Sequence, residues 1–158
     1  MDINIHILNI GCFYHWGMNN YTELIKYPTD LKNTDGYKIL VVEDDDVAYL
    51  LLNEILDLYR PIIFRASNGE EAINYFSDNK HAADLVLMDI RLPKVNGYQA
   101  TRRIKEINPT VPVVAVTAYA HSQGILDCYL AGCDDYLAKP FEIRKLQNII
   151  ENYLFVKN

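Results

Sequence analysis

The chain has 158 residues, with 21 acidic against 15 basic side chains and a net charge of −6 at pH 7. An acidic balance without a basic stripe excludes a nucleic-acid footprint, and a composition that is 50% hydrophobic excludes a disordered chain. No apolar run is long enough for membrane insertion, and the 3 cysteines fit neither a metal pattern nor a disulfide pattern, which implies a reducing, cytoplasmic setting.

Residues 1–36 read as an N-terminal extension and linker of uncertain structure. Ile3, Ile5 and Ile7 alternate as in a strand, Phe13, Tyr14 and Trp16 follow, and a short helix over Asn20–Tyr27 would stop at Pro28. The first ten residues lack the basic start of a signal peptide. Pro28 to Tyr37 is polar and turn-rich. His6, Cys12 and His15 have no spacing that closes a metal site.

Residues 37–158 read as one folded domain. Lys38–Val42 is a buried-strand run, and the apolar positions Val47, Leu50, Leu51, Ile55 and Leu58 give Asp46–Leu58 helical spacing. Ile62–Ala66 is the second strand. A helix over Asn68–Asp78 places Ala72 and Phe76 on one face. Leu85–Met88 is the third strand, followed by a helix over Tyr98–Ile107 with Tyr98, Thr101, Ile104 and Ile107 inward. Val113–Val116 is the fourth strand, and the helix over His121–Ala131 ends at Gly132, which tolerates left-handed geometry. Tyr136–Ala138 is a short fifth strand. The last helix, from Phe141 to about Phe155, carries Leu146, Ile149, Ile150, Tyr153 and Leu154 at core spacing.

Strands alternating with helices imply an α/β fold: a five-stranded parallel sheet, doubly wound by right-handed crossovers. Strands this apolar require cover on both faces. Ligands of such sheets sit at the carboxyl ends of the strands, where strand order reverses. Glu43 and Asp44 follow the first strand, Asp89 the third and Thr117 the fourth, and Lys139-Pro140 follow the fifth. Three carboxylates brought a few ångströms apart repel by about 1 to 4 kcal/mol per pair. A hard divalent cation relieves that repulsion, and Mg²⁺ suits carboxylates combined with phosphate oxygens and waters. Lys139 adds a positive charge for a phosphate and Thr117 a hydroxyl donor.

The segments ILVVEDDDV, DLVLMDIRLPKVNGYQATRRI, VPVVAVTAYA and AGCDDYLAKPF resemble, in order and spacing, the response regulator receiver domains of bacterial two-component systems. The resemblance implies a flavodoxin-like receiver fold and a phosphorelay function. Asp89 then corresponds to the phosphoacceptor. Asp44 corresponds to the direct metal ligand, Glu43 to its acidic partner, and the backbone carbonyl of Arg91 to a further ligand of Mg²⁺ or Mn²⁺. Thr117 and Lys139 correspond to phosphate contacts, Tyr136 to the aromatic switch residue working with Thr117, and Pro140 to a proline after a cis peptide. The implied partners are a histidine kinase or histidine phosphotransfer protein, an unidentified downstream protein, and a second copy of the chain on phosphorylation. Such a module catalyses its own phosphotransfer and dephosphorylation without being a conventional turnover enzyme. With no output domain after Phe155, a stand-alone receiver or one belonging to a hybrid kinase is expected, and residues 1–36 are then either a remnant of an upstream domain or a packing element.

Two large side chains near the site, Arg91 and Tyr119, are expected to hinder the water that hydrolyses the acyl phosphate and so to set its lifetime. Asp45 and Asp46 open a helix and read as caps. Asn96-Gly97 reads as turn chemistry, and Cys128 and Cys133 as small buried hydrophobes. A haloacid-dehalogenase-type phosphatase also uses an aspartate after a strand, but its DxDGT pattern is absent, since Ile90 and Arg91 follow Asp89. A pseudo-receiver lacks site residues that are present here. Flavin binding rests on the fold alone.

Overall fold

A computed structural model of the chain describes residues 36–78, 82–118 and 122–155. Within them the order is β1 (Lys38–Val42), α1 (Asp46–Asp57), β2 (Ile62–Ala66), α2 (Gly69–Asp78), β3 (Leu85–Asp89), α3 (Gly97–Ile107), β4 (Val113–Thr117), α4 (Ser122–Ala131), β5 (Asp135–Ala138) and α5 (Ile143–Leu154). The strands form one parallel sheet in the order β2-β1-β3-β4-β5, as the alternation of strand and helix requires. Strand order reverses between β1 and β3, so the crevice at their carboxyl ends lies between Val42 and Asp89. Tyr119, His121, the whole of 1–35 and the metal-ligand candidates His6, Cys12 and His15 lie outside the described residues.

The period of two along each strand divides the core into two layers. Leu40, Val42, Val86, Met88, Val113 and Ala115 face Ala72 and Phe76 of α2, Ala100 and Ile104 of α3 and Cys128 of α4. Their strand neighbours Ile39, Val41, Leu85, Leu87, Val114 and Val116 face Leu52, Ile55 and Leu56 of α1 and Leu146, Ile149, Ile150 and Leu154 of α5. Each buried Val, Leu, Ile, Phe or Met among them gains about 1.5 to 3 kcal/mol from leaving water.

Three elements differ from the sequence reading in a way that matters for the site. Strands β3 and β4 each run one residue further than their apolar runs, so Asp89 and Thr117 are the last ladder residues rather than the first loop residues. Asp89 is paired with Val116, and Thr117 with Ala138. Helix α1 is rotated relative to the expected stripe. Leu52, Ile55 and Leu56 are buried, while Val47, Leu50 and Leu51 are 75%, 57% and 54% exposed. Apolar residues occupy more than one face of this helix, so periodicity alone allowed either rotation.

Local signals set the ends of the helices. Asp45 is the N-cap of α1, its carboxylate accepting from the Ala48 amide at 2.7 Å. Asp46 is not a cap; it is the first helical residue and pairs with Arg65. Asn96 caps α3 in a capping box with Gln99. Gly132, at φ +98°, ends α4 with its amide donating to the Tyr129 carbonyl and the Cys133 amide to that of Cys128.

Candidate functional site

The β1 ladder ends at Val42, and the chain turns through Glu43, Asp44 and Asp45 into α1. The Glu43 amide donates to the Ala66 carbonyl of β2 at 3.0 Å, which extends the β1–β2 pairing by one residue. Glu43 is therefore buried, while Asp44 is exposed on the crevice rim. Asp89 arrives from β3 with its carboxylate oriented by the Arg91 amide, which donates to Oδ1 at 2.7 Å. Carboxylate oxygens of Glu43, Asp44 and Asp89 all lie within 4.8 Å of one another.

Lys139 reaches this cluster from the end of β5. Its ammonium donates to Glu43 Oε2 and to Asp89 Oδ2, both at 2.6 Å. The Lys139 amide donates to the Thr117 carbonyl at 2.7 Å, so the ends of β4 and β5 are tied together. Thr117 is buried, the Lys139–Pro140 peptide is cis, and Tyr136 is half-buried against the core beside Ala115. Of the residues singled out in the sequence, Glu43, Asp44, Asp89, Thr117 and Lys139 thus meet at one edge of the sheet. Tyr136 lies further back on β5, and Arg91 is exposed at the start of the β3–α3 loop.

Burial pushes the Glu43 carboxyl above its ordinary range, against the hydrogen bond from Lys139 that favours its charged form. Burial alone would lower the Lys139 ammonium; hydrogen bonds to Asp89 and Glu43 outweigh it and hold its pKa above the ordinary value. One cation between two buried acids leaves the cluster with an excess of negative charge, and Asp44 adds to it on the open side. Hard oxygen donors with net negative charge and an open face fit Mg²⁺, which keeps waters and takes few protein carboxylates.

The close packing beneath the site has no slack. A Cβ on Gly97 would lie 2.2 Å from the Asp89 carbonyl oxygen, and one on Gly69 would lie 2.3 Å from that of Val95. The β3–α3 loop therefore sits directly on the starts of α2 and α3, with the Gly69 amide donating to Val95 and that of Gly97 to Ile90. Arg65 is the site neighbour that sequence reasoning missed. Its guanidinium crosses from β2, and Nε and Nη2 each donate to the Glu43 carbonyl at 3.3 Å. A single charge in the apolar run IIFRA, next to the strand end, was the available signal.

A family model described as the response regulator receiver domain matches residues 39–151. Sporulation initiation phosphotransferase F of Bacillus subtilis is 32% identical over 121 residues, which cover 77% of this chain and 96% of that protein. Autoinducer 1 sensor kinase/phosphatase LuxN of Vibrio campbellii is 31% identical over 143 residues; the match covers 90% of this chain but spans only 16% of that relative. Among solved structures, the receiver domain of sensor histidine kinase PA1611 from Pseudomonas aeruginosa, with a magnesium ion in its active-site cleft, superposes with a TM-score of 0.68 at 36% identity, covering 75% of this chain and 98% of that one. The family match along residues 39–151, together with a relative 32% identical over nearly its whole length, makes this chain a member of the response regulator receiver domain family.

Proposed function

We propose that the module, residues 37–158 with 1–36 as an extension, accepts a phosphoryl group onto Asp89 from a phosphohistidine of a histidine kinase or histidine phosphotransfer protein. The observation that carries this reading is the Asp89 carboxylate held between the Arg91 amide and the Lys139 ammonium, next to two further acids. An oriented carboxylate beside a cation that can neutralise phosphoryl charge suits in-line transfer to oxygen. An Asp89 oxygen forms the new bond to phosphorus. The phosphorus–nitrogen bond of the donor breaks, and its electron pair returns to the imidazole. Lys139 exchanges a carboxylate partner for a phosphoryl oxygen, and the Thr117 hydroxyl supplies a second contact. Glu43, Asp44, Asp89 and the Arg91 carbonyl are the ligands we assign to Mg²⁺, which when bound neutralises charge on the transferring group; Mn²⁺ offers the same hard-cation chemistry.

Output follows from the same contacts. A two-state element moves from 1:99 to 99:1 on about 5.5 kcal/mol of differential binding. Hydrogen bonds to a charged group supply about 1.5 to 3 kcal/mol each, so Thr117 and Lys139 together provide most of it. Thr117 moving toward the phosphoryl group leaves room for the half-buried Tyr136 ring to turn inward, which reshapes the α4–β5 surface where Leu126, Tyr129 and Leu130 are exposed. That surface is where a downstream protein, or a second copy of the chain, is expected. The exposed Val47, Leu50 and Leu51 of α1, on the rim next to Asp44 and Asp45, suit a protein donor. Free, buried Cys128 and Cys133 suit a reducing cytoplasm.

Arg91 and Tyr119 are proposed to slow hydrolysis of the acyl phosphate, with faster decay expected on truncating either one. The test of the whole reading is phosphorylation of the full chain by a small phosphodonor with Mg²⁺, and by a purified histidine phosphotransfer protein. Asp89→Asn should lose both reactions. Leu51→Ser should slow only the protein donor. Full labelling of Asp89→Asn would overturn the assignment.

A further inference from the structure

The side chain of Arg65 does four things at once beside the acidic crevice. Nε and Nη2 each donate to the Glu43 carbonyl at 3.3 Å, and Nη2 pairs with Asp46 Oδ1 at 2.7 Å. Its guanidinium carbon lies 4.4 Å from the centroid of the Tyr49 ring. Asp46 and Tyr49 belong to the first turn of α1, so one cation joins the end of β2, the loop after β1 and the start of the helix. The Glu43 carbonyl belongs to the peptide that joins Glu43 to Asp44. Arg65 holds that peptide through its carbonyl, and Ala66 holds the preceding one through the Glu43 amide, so the backbone on both sides of the Glu43 Cα is pinned just before Asp44. Asp44 is exposed, and the peptide it hangs from sets the position from which its carboxylate reaches the crevice.

We propose that Arg65 is a positioning residue for the acidic pair, aiming Asp44 into the crevice so that Asp44 and Glu43 share a divalent cation with Asp89. The inference rests on the Mg²⁺ site assigned above. The guanidinium is suited to this task and an ammonium is not, because only the planar fork reaches a carbonyl and a carboxylate together while stacking on a ring. Two physical effects of Arg65 on cation binding have opposite signs. As a bare positive charge it repels a divalent cation, so its removal tightens binding. As a positioning group it supports the ligand shell, and loss of such outer-shell support weakens metal sites by about tenfold or more.

The experiment is a calorimetric Mg²⁺ titration of the full chain, wild type against Arg65→Lys, Arg65→Gln and Tyr49→Leu. A metal-free thermal melt of each variant checks the fold, and Asp44→Ala is the metal-site control. The expected result is a dissociation constant raised about tenfold in both Arg65 variants, with Lys no better than Gln, and a smaller rise in Tyr49→Leu, which loosens the guanidinium without changing charge. The rate of labelling by a small phosphodonor should need correspondingly more Mg²⁺ for half-saturation while its plateau is retained, a split that general loosening of the fold does not give. Unchanged affinity in both Arg65 variants, or tighter binding in Arg65→Gln with Arg65→Lys like wild type, would overturn the proposal and leave Arg65 a mere charge. If the Arg65 variants do not fold, Tyr49→Leu decides, and an unchanged constant there counts against positioning. Asp44→Ala separates the two levels: if it leaves Mg²⁺ binding intact, the metal-site reading fails and this inference with it, whereas if it abolishes binding and the Arg65 variants do not weaken it, only the inference fails.

Discussion

Lys139 is the residue on which the resting site depends. Its ammonium is the partner that Glu43 and Asp89 share, and both acids are buried. Removing one partner of a buried ion pair costs about 3 to 5 kcal/mol, and partial exposure of the lysine puts Lys139→Met near the low end, at about 3 kcal/mol in metal-free buffer. The pH dependence has a definite sign. The Glu43 pKa is raised by burial, so its contribution to stability is present below the ordinary 4.5 and is lost as pH rises through its folded value. The Lys139 pKa is also raised, so its contribution is present below 10.5 and is lost as pH rises through the higher folded value. Metal-free urea unfolding from about pH 5 to about pH 11 should show the Lys139→Met deficit in full near neutral pH, narrowing toward pH 5 as the unpaired acids take up protons and narrowing above about pH 10.5 as wild type loses its charged lysine, with no alkaline step from this site in the variant. An unchanged alkaline limb would contradict the ion pair. Asp45 and Asp46 show why neighbouring acids need separate accounts: one caps α1 through Ala48, and the other answers Arg65 from β2.

The β3–α3 loop and its flanking helices translate packing into chemistry. Gly97 follows the Asn96 cap, and its lack of a side chain lets α3 begin against the Asp89 carbonyl. Gly97→Ala should destabilise the fold by about 1 to 3 kcal/mol, the usual cost of overpacking. It should also slow labelling of Asp89, because the strand end must shift to admit the methyl group; stability measured by denaturant and labelling rate should fall together. The sequence carried the helix signals well where they are local. The Gly132 stop of α4, the Ala72–Phe76 face of α2 and the Leu146–Ile150 face of α5 are all where periodicity and glycine chemistry put them. The rotation of α1 was not legible, because Val47, Leu50 and Leu51 continue the apolar stripe around the helix and only packing on β1 and β3 decides which side is buried. The same three exposed residues are those proposed above as the contact for a protein donor.

At the level of the domain, the site is assembled from contacts remote in sequence. Lys139 meets Glu43 across 96 residues and Asp89 across 50. These were legible because strand ends of a parallel sheet converge by topology and because polar residues interrupted apolar runs there. Arg65 escaped notice because its contacts, 22 residues away, follow from a side-chain path that the strand pattern does not encode. Mutual repulsion of the acids, relieved by a cation, should couple the whole fold to Mg²⁺. A hundredfold excess over the dissociation constant should add about 2.7 kcal/mol to stability. Asp44→Ala should lose most of that gain, and a Mg²⁺-dependent melting shift that survives the substitution would place the ion elsewhere.

The assignment of Asp89 as the phosphoryl acceptor is tested most directly by chemical trapping. After reaction with a small phosphodonor and Mg²⁺, borohydride reduces an acyl phosphate to an alcohol, turning an aspartyl phosphate into homoserine that peptide mass spectrometry can locate. The account requires homoserine at position 89, with Asp44 and Glu43 unmodified and no label in Asp89→Asn. Homoserine at 44, or a stable phosphoryl group on a residue outside the crevice, would contradict it.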